Sequence, residues 1–138
     1  MRIYVDSSVV LRHLLNGDPA FGAAASSSDL VGSSDLLVIE CQRVLQRERM
    51  AGHLDDQQYS LSAGLLNTIL ERLYLIDMGP AVKRRAAGPF PTVIGTLDAI
   101  HLASAILWGG VESGSEIRIL THDKQLALCA HSLGIRVT

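Results

Sequence analysis

The stretch from Ile3 to Gly17, IYVDSSVVLRHLLNG, contains a complete strand–cap–helix unit and decides the fold class. Ile3 to Val5 is a short apolar run with β-branched residues, which favours a buried strand. Asp6 then precedes Val9 to Leu15, whose apolar residues have helical spacing. Gly17 follows at a position where helices commonly end. The stretch therefore predicts a strand followed directly by a helix, with an aspartate between them.

The rest of the chain continues this alternation of strands and helices. Asp55 and Gln58 form a predicted capping box, with Leu54 packing on Tyr59, at the start of a long helix. Residues 22–28 are small and polar, which is typical of a loop or a frayed helix. The remaining expected strands are 29–32, 73–76, 116–121 and 135–137, and the expected helices are 34–51, 55–72, 80–87, 96–108 and 123–132.

Strands separated by helices along the whole chain predict an α/β fold. In such folds a central, mainly parallel β-sheet is covered by helices on both faces. We find no internal repeat, linker or low-complexity tract in the 138 residues. We therefore expect residues 1–138 to form a single domain.

The composition limits the classes of function. Hydrophobic residues make up 48% of the chain and the formal net charge is −2, so bulk positive charge cannot attract nucleic acid and local patches must do so. Cys41 and Cys129 fit neither a metal spacing nor a disulfide framework, and we expect both to be reduced core residues. No apolar run approaches the ~20 residues that span a bilayer. A cytoplasmic protein with no membrane contact is the expectation.

Acidic residues in apolar surroundings are the most informative feature of the sequence. Asp6 and Asp123 each follow a predicted strand, and the carboxyl ends of parallel strands form the crevice where ligands bind. Asp98 shares a helical stripe with Leu102, which faces the predicted core. Aspartates at helix starts are also favoured as N-caps and by the helix dipole, so capping remains open for these three residues.

Glu40 lies inside a predicted helix, where a capping role is excluded. It shares a stripe with Leu36, Leu37 and Val44, so its carboxylate is expected to point inward. The structural alternative is an ion pair with Arg43 on the next turn.

Four carboxylates in one poorly solvated crevice would repel one another strongly, so the arrangement calls for a cation. No His and Cys spacing suits zinc, and the oxygen donors favour Mg²⁺ first and Mn²⁺ second. Carboxylate-bound ions of this kind commonly also bind substrate phosphates. The pattern therefore points to chemistry on phosphate esters or phosphodiesters.

Four segments resemble the acidic motifs of the PIN domain, and together they cover essentially the whole chain. The segment around Asp98 is the most specific of them. Chain length and motif order are similar to those of VapC toxins, the ribonuclease halves of VapBC toxin–antitoxin pairs. The segments are 3–9 (IYVDSSV), 38–40 (VIE), 97–105 (LDAIHLASA) and 120–123 (LTHD).

This resemblance implies a Mg²⁺-dependent endoribonuclease that cleaves RNA with a metal-activated water. It also implies a homodimer and a cognate VapB-like antitoxin whose tail occupies the acidic groove. The resemblance assigns Thr121 to orienting a carboxylate or water, with Ser7 contributing similarly. The residues implied as catalytic and metal-binding are Asp6, Glu40, Asp98 and Asp123.

Basic residues near the predicted crevice are candidates for substrate contact. Arg12 and His13 lie just beyond Asp6 and could reach an RNA phosphate. His101, one turn after Asp98, could touch substrate or a carboxylate, although a buried hydrogen bond is the commoner role of such a histidine.

Other functions are weighed against this interpretation. A metal-dependent phosphatase would need a D-x-D nucleophile, and position 8 is Ser8. A receiver-type signalling domain would need adjacent acids near its first strand, and the acids of this sequence are placed differently. A housekeeping PIN-type nuclease, or a degenerate PIN module that binds RNA or protein without cutting, remain the alternatives. The presence of all four acids argues against the degenerate module.

Overall fold

The computed structural model describes residues 1–27, 29–110 and 116–138. Strands and helices alternate along these residues, as the sequence predicts. The strands are β1 (Arg2–Val5), β2 (Leu30–Ser34), β3 (Tyr74–Ile76), β4 (Ile117–Leu120) and β5 (Arg136–Val137). The helices are α1 (Ser7–Asn16), α2 (Pro19–Ser26), α3 (Leu36–Met50), α4 (Asp56–Arg72), α5 (Pro80–Ala87), α6 (Thr96–Gly109) and α7 (Lys124–Ser132).

The described strands form one sheet in the order β3-β2-β1-β4-β5. All pairings between these described strands are parallel. The central strand β1 pairs with β2 on one side and with β4 on the other, with Val5 opposite Leu120 at its carboxyl end. From β1 the chain adds β2 and β3 on one side of the sheet, and it then adds β4 and β5 on the other side. Such a switch in the order of strands leaves a crevice beyond their carboxyl ends.

Two hydrophobic clusters pack on opposite faces of this sheet, because successive strand residues point to opposite sides. Ile3 and Val5 join the cluster formed with α1, α3 and α4, whereas Tyr4 joins the cluster formed with α6 and α7. Cys41 lies in the first cluster and Cys129 in the second, and both are free and buried. The expected α/β architecture, with helices on both faces, is confirmed.

Several predicted helix ends are confirmed in detail. Gly17 ends α1 with a φ of 67°, a left-handed conformation that glycine adopts at little cost. The Asp55 side chain accepts a hydrogen bond from the Gln58 backbone, and the Gln58 side chain accepts one from the Asp55 backbone, which completes the capping box.

Residues 22–28 were expected to form a loop or a frayed helix. In the structure, residues 22–26 belong to the helix α2, which begins at Pro19. Ser28 lies outside the described residues. Asp18 caps α2 by accepting a hydrogen bond from the Ala20 backbone at 2.9 Å, and Pro19 occupies the first helical position. Alanine, the best helix former, supplies much of the rest.

The second strand also continues beyond its predicted end at residue 32, to Ser34, so α3 begins at Leu36 and not at residue 34. Within the described residues, no helix combines the length and apolar character needed to cross a bilayer.

Candidate active site

Two of the four predicted acids lie where the central strands end. Asp6 directly follows β1, and Asp123 lies three residues after the last residue of β4. Because β1 and β4 are adjacent and parallel, both residues lie at the same edge of the sheet, beside the switch point. This is the edge at which the sequence predicts a ligand-binding crevice.

Asp6 is 4% exposed, and protein groups hold both of its carboxylate oxygens. Oδ1 accepts hydrogen bonds from Ser8 Oγ at 2.6 Å and from the Val9 backbone at 3.4 Å. Oδ2 accepts one from Thr121 Oγ1 at 2.6 Å. Asp6 therefore caps α1, as the capping interpretation predicts, and is also fixed from the end of β4, while its metal-binding role stays a prediction.

The same hydrogen bonds tie the two strand ends together. Thr121 Oγ1 accepts from the Asp123 backbone at 2.9 Å, and Ser8 Oγ accepts from the His122 backbone at 2.9 Å. Thr121 thus orients the Asp6 carboxylate, one of the two roles expected for it. Ser8 was not predicted as a site residue, although its place in the first turn after the Asp6 cap is a signal that could have indicated it.

Asp123 caps α7, as the structural alternative predicts. Its Oδ1 accepts hydrogen bonds from the backbones of Gln125 at 2.9 Å and Leu126 at 3.1 Å. The cap fixes this carboxylate at the helix N-terminus, close to the end of β4.

Asp98 is not a helix cap, and the capping interpretation is wrong for this residue. Gly95 is the N-cap of α6, and Asp98 is the third residue of that helix. Burial raises the pKa of Asp98 to about 6, and the negative charges of Asp123, Asp6 and Glu40 act in the same direction. His101 partly opposes them. The fold therefore brings the other three predicted acids within electrostatic reach of Asp98.

Glu40 points inward as expected, but its partner is His101 and not Arg43. His101 Nε2 and Glu40 Oε1 are 2.5 Å apart, across 61 positions of the chain. The side chains are 2% and 16% exposed, respectively. The glutamate on α3 is thus held by a buried histidine on α6.

A chain of hydrogen bonds continues from His101 into the sheet. Tyr4 Oη lies 2.7 Å from His101 Nδ1 and accepts a hydrogen bond from the Ser34 backbone at 3.0 Å. Burial raises the pKa of Tyr4, so the hydroxyl keeps its proton and can donate it to Nδ1. His101 Nε2–H then donates to Glu40. Tyr4 was counted as an apolar strand residue, and its hydroxyl on a buried strand is the signal that was missed.

The remaining predicted site residues lie on α1. Ser7 is its first residue and is half-buried, and Arg12 is exposed to solvent. His13 Nδ1 lies 3.2 Å from the Asp18 carbonyl oxygen, and its ring packs on Phe21 with centroids 5.2 Å apart. The structure places His13 in the contact between α1 and α2, while substrate contacts by these three residues stay predictions.

The donor set fits a hard divalent cation by its chemistry. The four side chains offer carboxylate oxygens, and the raised pKa of Asp98 reflects burial first and then a repulsion between carboxylates, which a cation would relieve. Among the described residues, however, no three His, Cys, Asp or Glu side chains are arranged as a ready metal centre. The Asp6, Glu40 and Asp123 carboxylates instead contact the protein partners described above, and these contacts set their starting orientation.

The raised pKa of Asp98 predicts a pH dependence of the metal-free protein. The folded-state pKa is about 6, whereas an unfolded aspartate titrates near about 3.9. Between these two pH values, Asp98 is protonated more often in the folded state than in the unfolded state. The free energy of unfolding therefore falls as pH rises through this range. Asp98→Asn removes this titration. We expect the difference in melting temperature between Asp98→Asn and wild type to grow in favour of the variant from pH 4 to pH 7, as measured by calorimetry in chelator. A pH-independent difference would contradict the raised pKa of Asp98.

The Tyr4–His101–Glu40 chain predicts a second effect. Tyr4→Phe leaves the Ser34 N–H unpaired and removes the donor to His101, so we expect the free energy of unfolding to fall by about 1–3 kcal/mol. Denaturant unfolding measures the effect. Tyr74→Phe, at an exposed tyrosine, is the matched control, and equal behaviour of both variants would refute the role of Tyr4.

Comparisons with known proteins agree with this arrangement. The family model described as "PIN domain" matches residues 3–131. No curated protein sequence matches the chain significantly.

Two solved structures share the fold. One is a chain of VapBC2 from Rickettsia felis bound to a DNA fragment from its promoter, with a TM-score of 0.69 and 13% identity; the match covers 100% of this chain and 98% of that one. The other is PAE2754 from Pyrobaculum aerophilum, with a TM-score of 0.66 and 16% identity, covering 99% and 83% of the two chains. At these identities the likeness concerns the fold.

Proposed function

This chain belongs to the PIN domain family, whose members are generally nucleases, and we propose that it is a divalent-metal-dependent endoribonuclease. We further propose that it is the toxin of a VapBC-type toxin–antitoxin pair. The similarity of its fold to a chain of a VapBC2 complex supports this second step.

The observation that carries the proposal is the convergence of negative charge around Asp98. Asp6, Glu40 and Asp123 come from three other parts of the chain, and each raises the Asp98 pKa. Like charges gathered in a partly buried site are costly unless the site binds something positive. A structural core has no need of such a cluster, whereas metal-assisted phosphodiester hydrolysis does.

Asp6, Glu40, Asp98 and Asp123 are the proposed ligands. Mg²⁺, or Mn²⁺ in its place, would supply Lewis acidity at the scissile phosphate and lower the pKa of a nearby water. In the hydrolysis, water adds to phosphorus and one ester P–O bond breaks, with a proton passing to the leaving oxygen.

The chain's own residues would hold this site in order. Ser8, Thr121 and the Val9 backbone fix the Asp6 oxygens. His101 fixes Glu40. Arg12, exposed one turn into α1, is the proposed cation for an RNA phosphate, and its charge would position the strand without reading its sequence.

The proposed partners follow from the same assignment. We propose a VapB-like antitoxin that covers the acidic crevice, a homodimer, and a cytoplasmic setting. These proposals rest on the toxin assignment and are tested with it.

The direct test is incubation of the purified protein with single-stranded and structured RNA, in Mg²⁺, in Mn²⁺ and in excess chelator. We expect internal cleavage with either metal and none in chelator. Metal-independent RNA binding without cleavage would instead establish the degenerate module and overturn the nuclease proposal.

The toxin assignment has its own test. Expression of the chain should arrest growth, and co-expression of a small protein encoded beside it should relieve the arrest. Cleavage in vitro without growth arrest would favour the housekeeping nuclease.

A further inference from the structure

Two arginines lie side by side on the sheet, outside the acidic site. Arg118 on β4 and Arg136 on β5 are direct partners in the parallel ladder. Neighbouring strands lie about 4.8 Å apart, and partners in register point to the same face of the sheet. The two cationic side chains therefore leave the same face from adjacent backbones.

The pair continues a row of residues that crosses the sheet. Val31, Ile3 and Arg118 are successive partners in the same ladder, so all three share the face on which α1 packs. Val31 and Ile3 are buried in the hydrophobic cluster on that face. Arg118 is half-buried and Arg136 is exposed. The row thus changes from apolar to cationic where the helix cover ends, towards the edge strand β5.

Neither arginine has an acidic partner among the described residues. No carboxylate in that part of the chain forms an ion pair with either of them. Glu116, the acid nearest to Arg118 in sequence, is itself exposed. Arg118 Nε is buried without a hydrogen-bond partner, whereas the terminal nitrogens of the same guanidinium are not buried. The positive charge of the pair is therefore left uncompensated.

Such an arrangement lowers stability unless a ligand uses it. Like charges directly opposite one another on neighbouring strands repel, and a buried polar atom is almost always paired. A charge that only keeps the edge strand from pairing with another chain would need Arg136 alone, and not Arg118 on the inner strand. Arginine presents its N–H groups in a planar fork that matches phosphate oxygens. The pair is thus suited to an oxyanion.

Strand β4 links the pair to the acidic site. Arg118 lies three residues before Thr121, about 10 Å along the strand. Thr121 in turn donates to the Asp6 carboxylate.

The helix α1 adds a third arginine on the same side. Ser8 Oγ accepts a hydrogen bond from the His122 backbone, which ties one side of α1 to the end of β4. Arg12 lies four residues after Ser8 and so projects from that side of the helix. Basic groups thus begin beside the acidic crevice and continue over β4 and β5. A series of cations of this kind can follow the backbone of a single-stranded polyanion.

We propose that Arg118 and Arg136 together bind one backbone phosphate of a single-stranded RNA whose cleaved bond lies at the acidic site. The contact positions the strand and reads no base. The inference rests on the proposed nuclease function. It adds a binding site on the sheet face that contains none of the four acids.

Inorganic phosphate tests the anion site without RNA and without catalysis. A ligand that binds only the folded state raises the melting temperature. In chelator and at constant ionic strength, we expect phosphate to raise the melting temperature of wild type more than that of an Arg118→Gln/Arg136→Gln double variant. Arg72→Gln removes an exposed cation on α4 and should respond as wild type does. Equal shifts in the three proteins would overturn the site.

Single-stranded RNA tests the assigned ligand. Fluorescence anisotropy with a labelled oligonucleotide in chelator measures binding without cleavage. We expect the double variant to bind about 5- to 10-fold more weakly, the loss of one charged contact at a partly exposed site. The slope of log affinity against log salt should fall in magnitude by about 0.7, which corresponds to one phosphate. Arg72→Gln should change neither quantity.

Cleavage kinetics in Mg²⁺ separate positioning from chemistry. Neither arginine is placed at the bond that is cut, so the double variant should raise KM and leave kcat unchanged. Circular dichroism and the melting temperature without phosphate check the fold, and removal of the repulsion should not lower that temperature. A fall in kcat at unchanged KM would contradict the positioning role.

The outcomes separate this proposal from the one it rests on. If the phosphate response falls in the double variant but RNA affinity and its salt dependence do not, the pair binds another anion and the RNA assignment is wrong. If wild type binds RNA through the pair but cleaves none with either metal, the nuclease proposal is wrong and the phosphate site stands.

Discussion

Asp98→Asn is expected to abolish RNA cleavage while leaving the protein folded. The substitution removes the carboxylate on which the charges of Asp6, Glu40 and Asp123 converge. We expect a loss of more than about 100-fold, beyond what removing a merely orienting group costs. Single-turnover cleavage in Mg²⁺ measures the effect.

Stability should change in the opposite direction from activity. At pH 8 and without metal, the ionised Asp98 is repelled by its neighbours and partly buried. Asparagine has nearly the same shape and no charge, so the metal-free variant should melt at a higher temperature than wild type. Asp56→Asn, whose side chain is 90% exposed, is the matched control and should change neither quantity appreciably. An active Asp98→Asn variant would remove this residue from the site.

Asp6→Asn should be as inactive as Asp98→Asn. Unlike Asp98, Asp6 also caps a helix. Asp6 caps α1, and its carboxylate also accepts a hydrogen bond from Thr121 at the end of β4. Asparagine caps helices as well as aspartate does, and its amide can donate to Thr121 Oγ1, so the fold should persist. We expect cleavage to fall by more than about 100-fold, which exceeds the cost of removing an orienting group. The free energy of unfolding should change little.

Two comparisons isolate the charge from the cap. Asp6→Ala should be equally inactive and also lose about 1 kcal/mol of stability, since it removes the cap. Asp18→Asn is the matched control, because Asp18 caps α2 in the same way and should retain activity. If Asp6→Asn cleaved RNA normally, capping would be the only role of Asp6.

Much of the fold could be predicted because local chemistry and global structure agree. The capping box at Asp55 and the glycine after α1 determine their helix ends through contacts within a few residues. The helix α2 was missed because its small residues carry no hydrophobic periodicity. Its signals were the Asp18 cap and Pro19, which lie just before the segment that was judged polar.

The sequence indicated which acids come near Asp98, but it did not indicate the contacts that these acids make. Strand ends and helix stripes indicated four acids, and the structure brings the other three within electrostatic reach of Asp98. The partner of Glu40 is a histidine 61 positions away. Only the fold selects it over nearby Arg43, because the two side chains meet although α3 and α6 pack on opposite faces of the sheet. Likewise, Ser8 acts through the backbone of His122, which becomes its neighbour only when β1 pairs with β4.

Calorimetric titration of Mg²⁺ and Mn²⁺ into the metal-free protein tests the central claim most directly. The account predicts saturable binding to wild type and to Asp56→Asn, with binding weakened or lost in Asp98→Asn and Asp6→Asn. Wild-type protein that bound neither ion, or bound them equally well without these carboxylates, would contradict it.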